Sequence, residues 1–212
     1  MSNQIPSIIQ PNSLYVGVDV GRDRDLTVIW VLEKIADAYF TRRVITMAGL
    51  SFEAQEERLN DVLSSRAVKR CCIDETGLGR QFAERAQKKF GVYRVERVHF
   101  TEPIKEELAY PVRTMFESRR IRIPRGSEIR VDLGGIRQEM TIAGNIRFIG
   151  ERNANGHCDR FWALALALHT AKTSATGALT SVAGIYYERT TVVVPWRRFT
   201  PRTLRQTPRL GY

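Results

Sequence analysis

Asp19 stands within "LYVGVDVGRDRDLTVIWVL", an apolar, β-branched run that breaks into charged residues after Val20 and resumes at Leu26. A carboxylate in such a run is costly unless it is paired, and strands disfavour Asp. Helix capping cannot account for a residue in mid-strand. Asp74 closes a second apolar run, "VKRCCID", just before a glycine-containing turn. Asp159 opens "DRFWALALALHTA", a stretch apolar nearly all round, which is the pattern of a buried helix. Asp74 and Asp159 each have an alternative reading as helix caps; Asp19 has none. Together, three acids on three rigid elements supply what a divalent-cation site needs: oxygen ligands, mutual repulsion offset by the metal, and open positions for water and phosphate. An all-carboxylate set suits Mg2+ or Mn2+ better than zinc.

The chain has 212 residues, a formal net charge of +10, and 27 Arg among its 33 basic residues. Arginine is the side chain suited to bidentate phosphate contacts, so the skew favours a nucleic-acid partner, with a compositional bias of the source as the competing explanation. No apolar run is long enough to span a membrane, and the N-terminus lacks a signal segment. Cys71, Cys72 and Cys158 are odd in number and lack framework spacing, which points to a reducing cytoplasm. Zinc held by these cysteines with His157 is disfavoured, because adjacent strand residues such as Cys71 and Cys72 face opposite ways; packing is the better reading.

Those acids need elements to hold them. Residues 1–13 read as a polar lead-in. Leu14–Val20, Leu26–Leu32 and the "AYFTRRVITMAG" stretch predict an antiparallel meander. Residues 51–65 carry Phe52, Leu59 and Leu63 at helical spacing behind a Ser51 cap. A strand over Val68–Ile73 precedes an amphipathic helix, Arg80–Phe90, closed by Gly91. "YRVERVHF" resumes strand character, residues 101–118 return to helix, and "RRIRIP" is a short strand. The stretch from Glu128 to Arg152 contains two strand-like runs around Ala143-Gly144-Asn145, a hairpin signature, before the helix that starts near Asp159. The result is a mixed α/β domain over residues 14–172. Residues 173–212, with six arginines against Glu188, are expected to form a flexible basic tail.

The ordered set "GVDVGRDRDLT", "IDETGLG" and "GHCDRFWALALAL" resembles the nuclease domain of phage large terminases, particularly those of Mu-like phages and prophages, over residues 14 to 171. The resemblance implies an RNase H-like fold: a mixed central sheet of five strands or slightly more, its first three antiparallel, flanked by helices, here with an additional β-hairpin. It implies a metal-dependent endonuclease that cleaves double-stranded DNA, with Asp19, Asp74 and Asp159 as catalytic and metal-binding residues. Two divalent cations, Mg2+ or Mn2+, are the implied cofactors. In two-metal hydrolysis they lie about 3.5–4 Å apart, with Asp19 bridging both and Asp74 and Asp159 completing one shell each. Glu75 is the alternative to Asp74, although alternation should turn it to the other sheet face. His157 and Asp25 are possible accessories; Asp23 reads as a turn former.

Arg22, Arg80, Arg137 and Arg147 are candidates for tracking the phosphate backbone; Lys105 could approach the active site, but an ordinary surface lysine is the better reading. The implied partners are an ATPase motor domain, a small terminase subunit and the portal, in the cytoplasm of a bacterial host. The chain contains no Gly-x-x-x-x-Gly-Lys-Ser/Thr loop, so it reads as an excised domain or a prophage remnant. Two other readings stay open: a RuvC-like junction resolvase, and a non-catalytic nucleic-acid-binding domain whose acids are structural. An actin-like ATPase lacks its second phosphate loop here.

Overall fold

The run that carries Asp19 forms strand β1 (Leu14–Asp19), and the run that resumes beyond the charged turn forms β2 (Thr27–Ile35), antiparallel to it. The computed structural model describes residues 13–21, 26–141, 146–150 and 158–174. The lead-in apart from residue 13, the tail beyond residue 174, and Arg22, Asp23, Asp25 and His157 lie outside them. Along the described chain, β3 (Ala38–Met47) completes the meander, followed by α1 (Phe52–Leu63), β4 (Val68–Asp74), α2 (Gly79–Phe90), β5 (Val95–Val98) and α3 (Glu102–Glu117). Then come β6 (Ile121–Arg122), α4 (Ser127–Gly134), the hairpin β7 (Ile136–Met140) and β8 (Ile146–Gly150), and α5 (Asp159–Thr173). The central sheet runs β5-β4-β1-β2-β3-β6, with β4 parallel to both β1 and β5. Two-residue β6 extends the expected five strands by pairing with the edge of β3.

Local chemistry fixes the helix ends that the spacing predicts. Ser51 Oγ accepts the Ala54 amide at 3.3 Å at the start of α1, Thr101 does the same for Ile104 at 3.4 Å before α3, and Gly91 ends α2 at φ 90°, where a side chain is strained. Helix α4 stands in a stretch where the sequence predicts only two strand-like runs. Its "EIRV" run alternates like a strand, yet Ile129 and Leu133, four residues apart, face the core as on a helix.

Side-chain alternation divides the core into two layers. Val16, Val18, Cys71 and Ile73 pack with α1 and α2. Tyr15 and Cys72 face the other way, into a layer built around α3 and α5. All three cysteines are free and buried, and burial pushes the Cys71 and Cys72 thiols well above their ordinary range. That is packing chemistry.

Helix α5 is buried along almost its whole length. It lies so close to β1 that a Cβ added to Gly17 would stand 2.1 Å from the Ala163 carbonyl oxygen and 2.3 Å from the Ala167 nitrogen. Only glycine permits that approach. The first turn of α5 is tied to α4 by a buried ion pair: Arg160 Nη1 donates to Asp132 Oδ2 at 3.0 Å, and the Arg160 amide donates to the same oxygen at 3.3 Å. Farther along, Glu96 lies between Arg70, at 2.8 Å, and His169, at 2.9 Å. Burial alone would raise its carboxyl, but the His169 and Arg70 partners outweigh this and hold it below the usual range.

Gly17→Ala is expected to destabilise the fold by about 1–3 kcal/mol through overpacking against helix backbone, read as a lower urea midpoint. Asp132→Ala strands the Arg160 guanidinium in the core, and removing one partner of a buried pair costs about 3–5 kcal/mol. The same titration checks both, against Asp37→Ala, which removes an exposed ion pair to Arg120 and should shift the midpoint little.

Candidate metal centre

The strand register assembles the first two carboxylates. Val18 is level with Ile73 on adjacent parallel strands, so the next residues, Asp19 and Asp74, leave the C-terminal ends of β1 and β4 side by side. Both sit at the alternation that faces α5, and strands pair about 4.8 Å apart. Asp159 comes from the first turn of α5. Each of the three is under a tenth exposed: 8% for Asp19, 7% for Asp74 and 6% for Asp159. An open cleft of about 290 Å³ is lined by Asp19, Asp159, Phe100, Lys105, Arg147 and Trp162, among others.

The capping readings fare differently. Asp159 is not the N-cap of α5; Cys158 is, at φ 66° and without a side-chain cap. Asp159 Oδ2 instead accepts the Leu26 amide at 2.8 Å, which ties α5 to the start of β2 beside Asp19. Asp74 does not cap α2, whose N-cap is Leu78, but its Oδ1 closes the turn after β4. It accepts the Thr76 amide at 2.9 Å and the Thr76 hydroxyl at 2.6 Å. That hydroxyl accepts the Phe100 amide at 3.0 Å, linking the ends of β4 and β5. Burial raises the Asp74 carboxyl above its ordinary range; the Thr76 hydrogen bonds and the charges of His99 and Lys105 offset this only in part.

Three desolvated carboxylates at one end of a sheet, Asp19 and Asp159 on one cleft, offer oxygen only, the donor type that fits hard divalent cations. Glu75 lies apart. It ion-pairs with Arg97 at 3.1 Å, and Arg97 stands level with Ile73, on the α2 face. Among the described residues, the group whose potential ligand atoms lie within 4.8 Å of one another is not Asp19, Asp74 and Asp159 but Cys72, Glu96 and His169. The Arg70 guanidinium on Glu96 and the buried thiol make it a packing cluster.

The candidate phosphate contacts scatter. Arg147 lines the cleft and pairs with Glu102 at 3.7 Å. Arg137 is exposed on β7, and Arg80 is exposed on α2, in the layer opposite α5. Lys105, for which the sequence favours a surface position over an approach to the site, lines the cleft. Its ammonium is 5.5 Å from the Trp162 ring centre and 5.9 Å from that of Phe100. The available signal was positional: residues that follow β5 sit at the same strand-end edge as Asp19 and Asp74, where α/β sheets place their sites.

The fold is similar to several solved structures. One is the large terminase nuclease of thermophilic phage G20c with bound magnesium, at 22% identity and TM-score 0.62 over 78% of this chain and 82% of that one. Another is the large terminase nuclease domain of bacteriophage SPP1 with bound Mn, at 15% identity and TM-score 0.52 over 76% and 88%. The HK97 bacteriophage large terminase aligns at 13% identity and TM-score 0.58 over 77% of this chain but 40% of that one. At these identities the likeness is one of fold. Comparison with curated proteins finds no match. Residues 16–171, most of the chain, match the family model of the terminase RNase H-like domain, and the chain belongs to that family.

Proposed function

We propose that this chain is the DNA-cutting domain of a phage genome-packaging terminase of the Mu-like type, a Mg2+- or Mn2+-dependent endonuclease that hydrolyses duplex DNA with two metal ions. The observation that carries the reading is the placement of three desolvated acids at one end of the sheet: Asp19 and Asp74 on the face toward α5, and Asp159 in the first turn of that helix. Structural acids gain nothing from such crowding. Divalent cations held there supply the positive charge that activates a water toward phosphorus and stabilises the leaving oxygen.

The chain's own residues do the rest. Asp19 leaves β1 beside the end of β4 and shares the cleft with Asp159; it would be the ligand common to the ions, with Asp74 and Asp159 completing the set. Leu26 orients Asp159 through its amide, and Thr76 orients Asp74. Thr76 is thus a positioning residue. Arg147 and Lys105 at the cleft, together with the overall charge of +10, suit a polyanion bound through its backbone, with strong salt dependence and little sequence preference. The proposed setting is the cytoplasm of a bacterial host, where the domain would work with an ATPase motor domain, a small terminase subunit and the portal. No helix among the described residues is long and apolar enough to cross a membrane.

Supercoiled plasmid incubated with the protein in Mg2+ or Mn2+ should be nicked and then linearised. EDTA should stop the reaction, and Asp19→Asn should abolish it while DNA binding persists. Binding without cutting in either metal contradicts the proposal and supports a non-catalytic domain. Asp74→Asn keeps the Oδ1 acceptor for Thr76 but removes a buried charge. In EDTA it should melt about 2–4 °C higher than wild type, equivalent to about 1 kcal/mol, and it should lose the rise in melting temperature that Mg2+ gives the wild type.

A further inference from the structure

We propose that Lys105 is a catalytic residue, the chain's own cation for the scissile phosphate, donating from Nζ to a non-bridging phosphate oxygen in the cleft; this rests on the endonuclease reading above. Lys105 lies at the start of α3, one turn beyond the Thr101 cap. It lines the same cleft as Asp19 and Asp159. Its ammonium stands over two rings at once, Phe100 and Trp162, whose centres are 5.3 Å apart at an interplanar angle of 55°. Two aromatic faces restrict the side chain and hold its charge in place.

Among the described residues, no carboxylate lies within ion-pair distance of that ammonium. Glu102, three residues earlier and the expected helical partner, is paired with Arg147 instead. A lysine that shares its cleft with Asp19 and Asp159, held by rings and, among the described residues, without an anionic partner of its own, is matched to an anion that arrives. The platform is itself built into the site. Phe100 is fixed by its amide on Thr76, the residue that also holds Asp74, and Trp162 is on α5, one turn beyond Asp159. Phosphoryl transfer gathers negative charge on the non-bridging oxygens, and a preorganised donor there acts on the rate more than on binding.

The test is the single-turnover nicking rate of supercoiled plasmid in Mg2+ with the full chain in excess, beside DNA affinity from filter binding. Lys105→Met keeps the apolar stem between the rings. It should cut about 100-fold more slowly, the usual cost of one transition-state donor, with its Kd within about three-fold of wild type. Lys105→Arg should recover most of the loss. Lys105→Gln is measured in parallel, so that a poorly folded methionine variant, seen in its melting curve, hands the decision to the glutamine one. A neutral variant that cuts within about three-fold of wild type overturns the proposal and leaves the endonuclease reading intact. A loss that disappears at saturating protein also overturns it, by making Lys105 a groove charge only. A wild-type protein that cuts nothing in either metal overturns both.

Discussion

Helix α5 rests on β1 with no side chain between them at Gly17, and the position of Asp159 depends on that contact. A helix apolar nearly all round has to be covered, and the sheet offers a face on which Tyr15 and Cys72 flank the gap left by glycine. The backbones can then approach until the Ala163 carbonyl and the Ala167 amide occupy the space where a Cβ would be. Once the helix is seated, its orientation is settled at the far end by Arg160 on Asp132 and by Asp159 on the Leu26 amide. The same packing that stabilises the core therefore carries a carboxylate from late in the chain to the ends of β1 and β4. A looser helix would still bury its leucines, but it would not deliver Asp159 to the cleft.

The energetic cost of the arrangement is local. Asp74 is desolvated enough to be raised above its ordinary range despite two hydrogen bonds from Thr76. Asp19 and Asp159 are as buried as Asp74. Stability is recovered elsewhere, by two apolar layers and by paired polar groups such as Glu96 with Arg70 and His169. Concentrated destabilisation at one sheet edge, inside a consistent fold, is the usual mark of a functional site. All-oxygen, all-anionic donors are what the proposed cation-assisted work on a negatively charged substrate calls for.

Much of this was legible from residue order because the signals were periodic. Apolar, β-branched runs broken by turns marked β1, β2 and β4, helical spacing marked α1 and α2, and the absence of any bland role for Asp19 singled it out. Helix α4 was not legible, because its Ile-Arg-Val alternation imitates a strand and only its contact with α5 decides the matter. The role of Thr76 was hidden for a related reason: one hydroxyl joins Asp74 to Phe100 across two strand ends. For Lys105 the sequence left a surface lysine as the better reading over an approach to the site, since Phe100 and Trp162, the rings beside it, are remote from each other in sequence and meet only once α5 is packed. Glu75 illustrates the converse. Simple alternation predicted that it would turn away from Asp19, and it pairs with Arg97 on the other face.

The central claim is that three carboxylates share divalent cations at the end of the β1–β4 pair. Anomalous diffraction from crystals soaked in Mn2+ tests it most directly, because the manganese signal locates the ion without reference to activity. The account predicts density between Asp19, Asp74 and Asp159, resolved as two ions, and its loss in Asp19→Asn crystals. Manganese bound elsewhere with these side chains left unliganded, or no ordered ion at millimolar Mn2+, would contradict it.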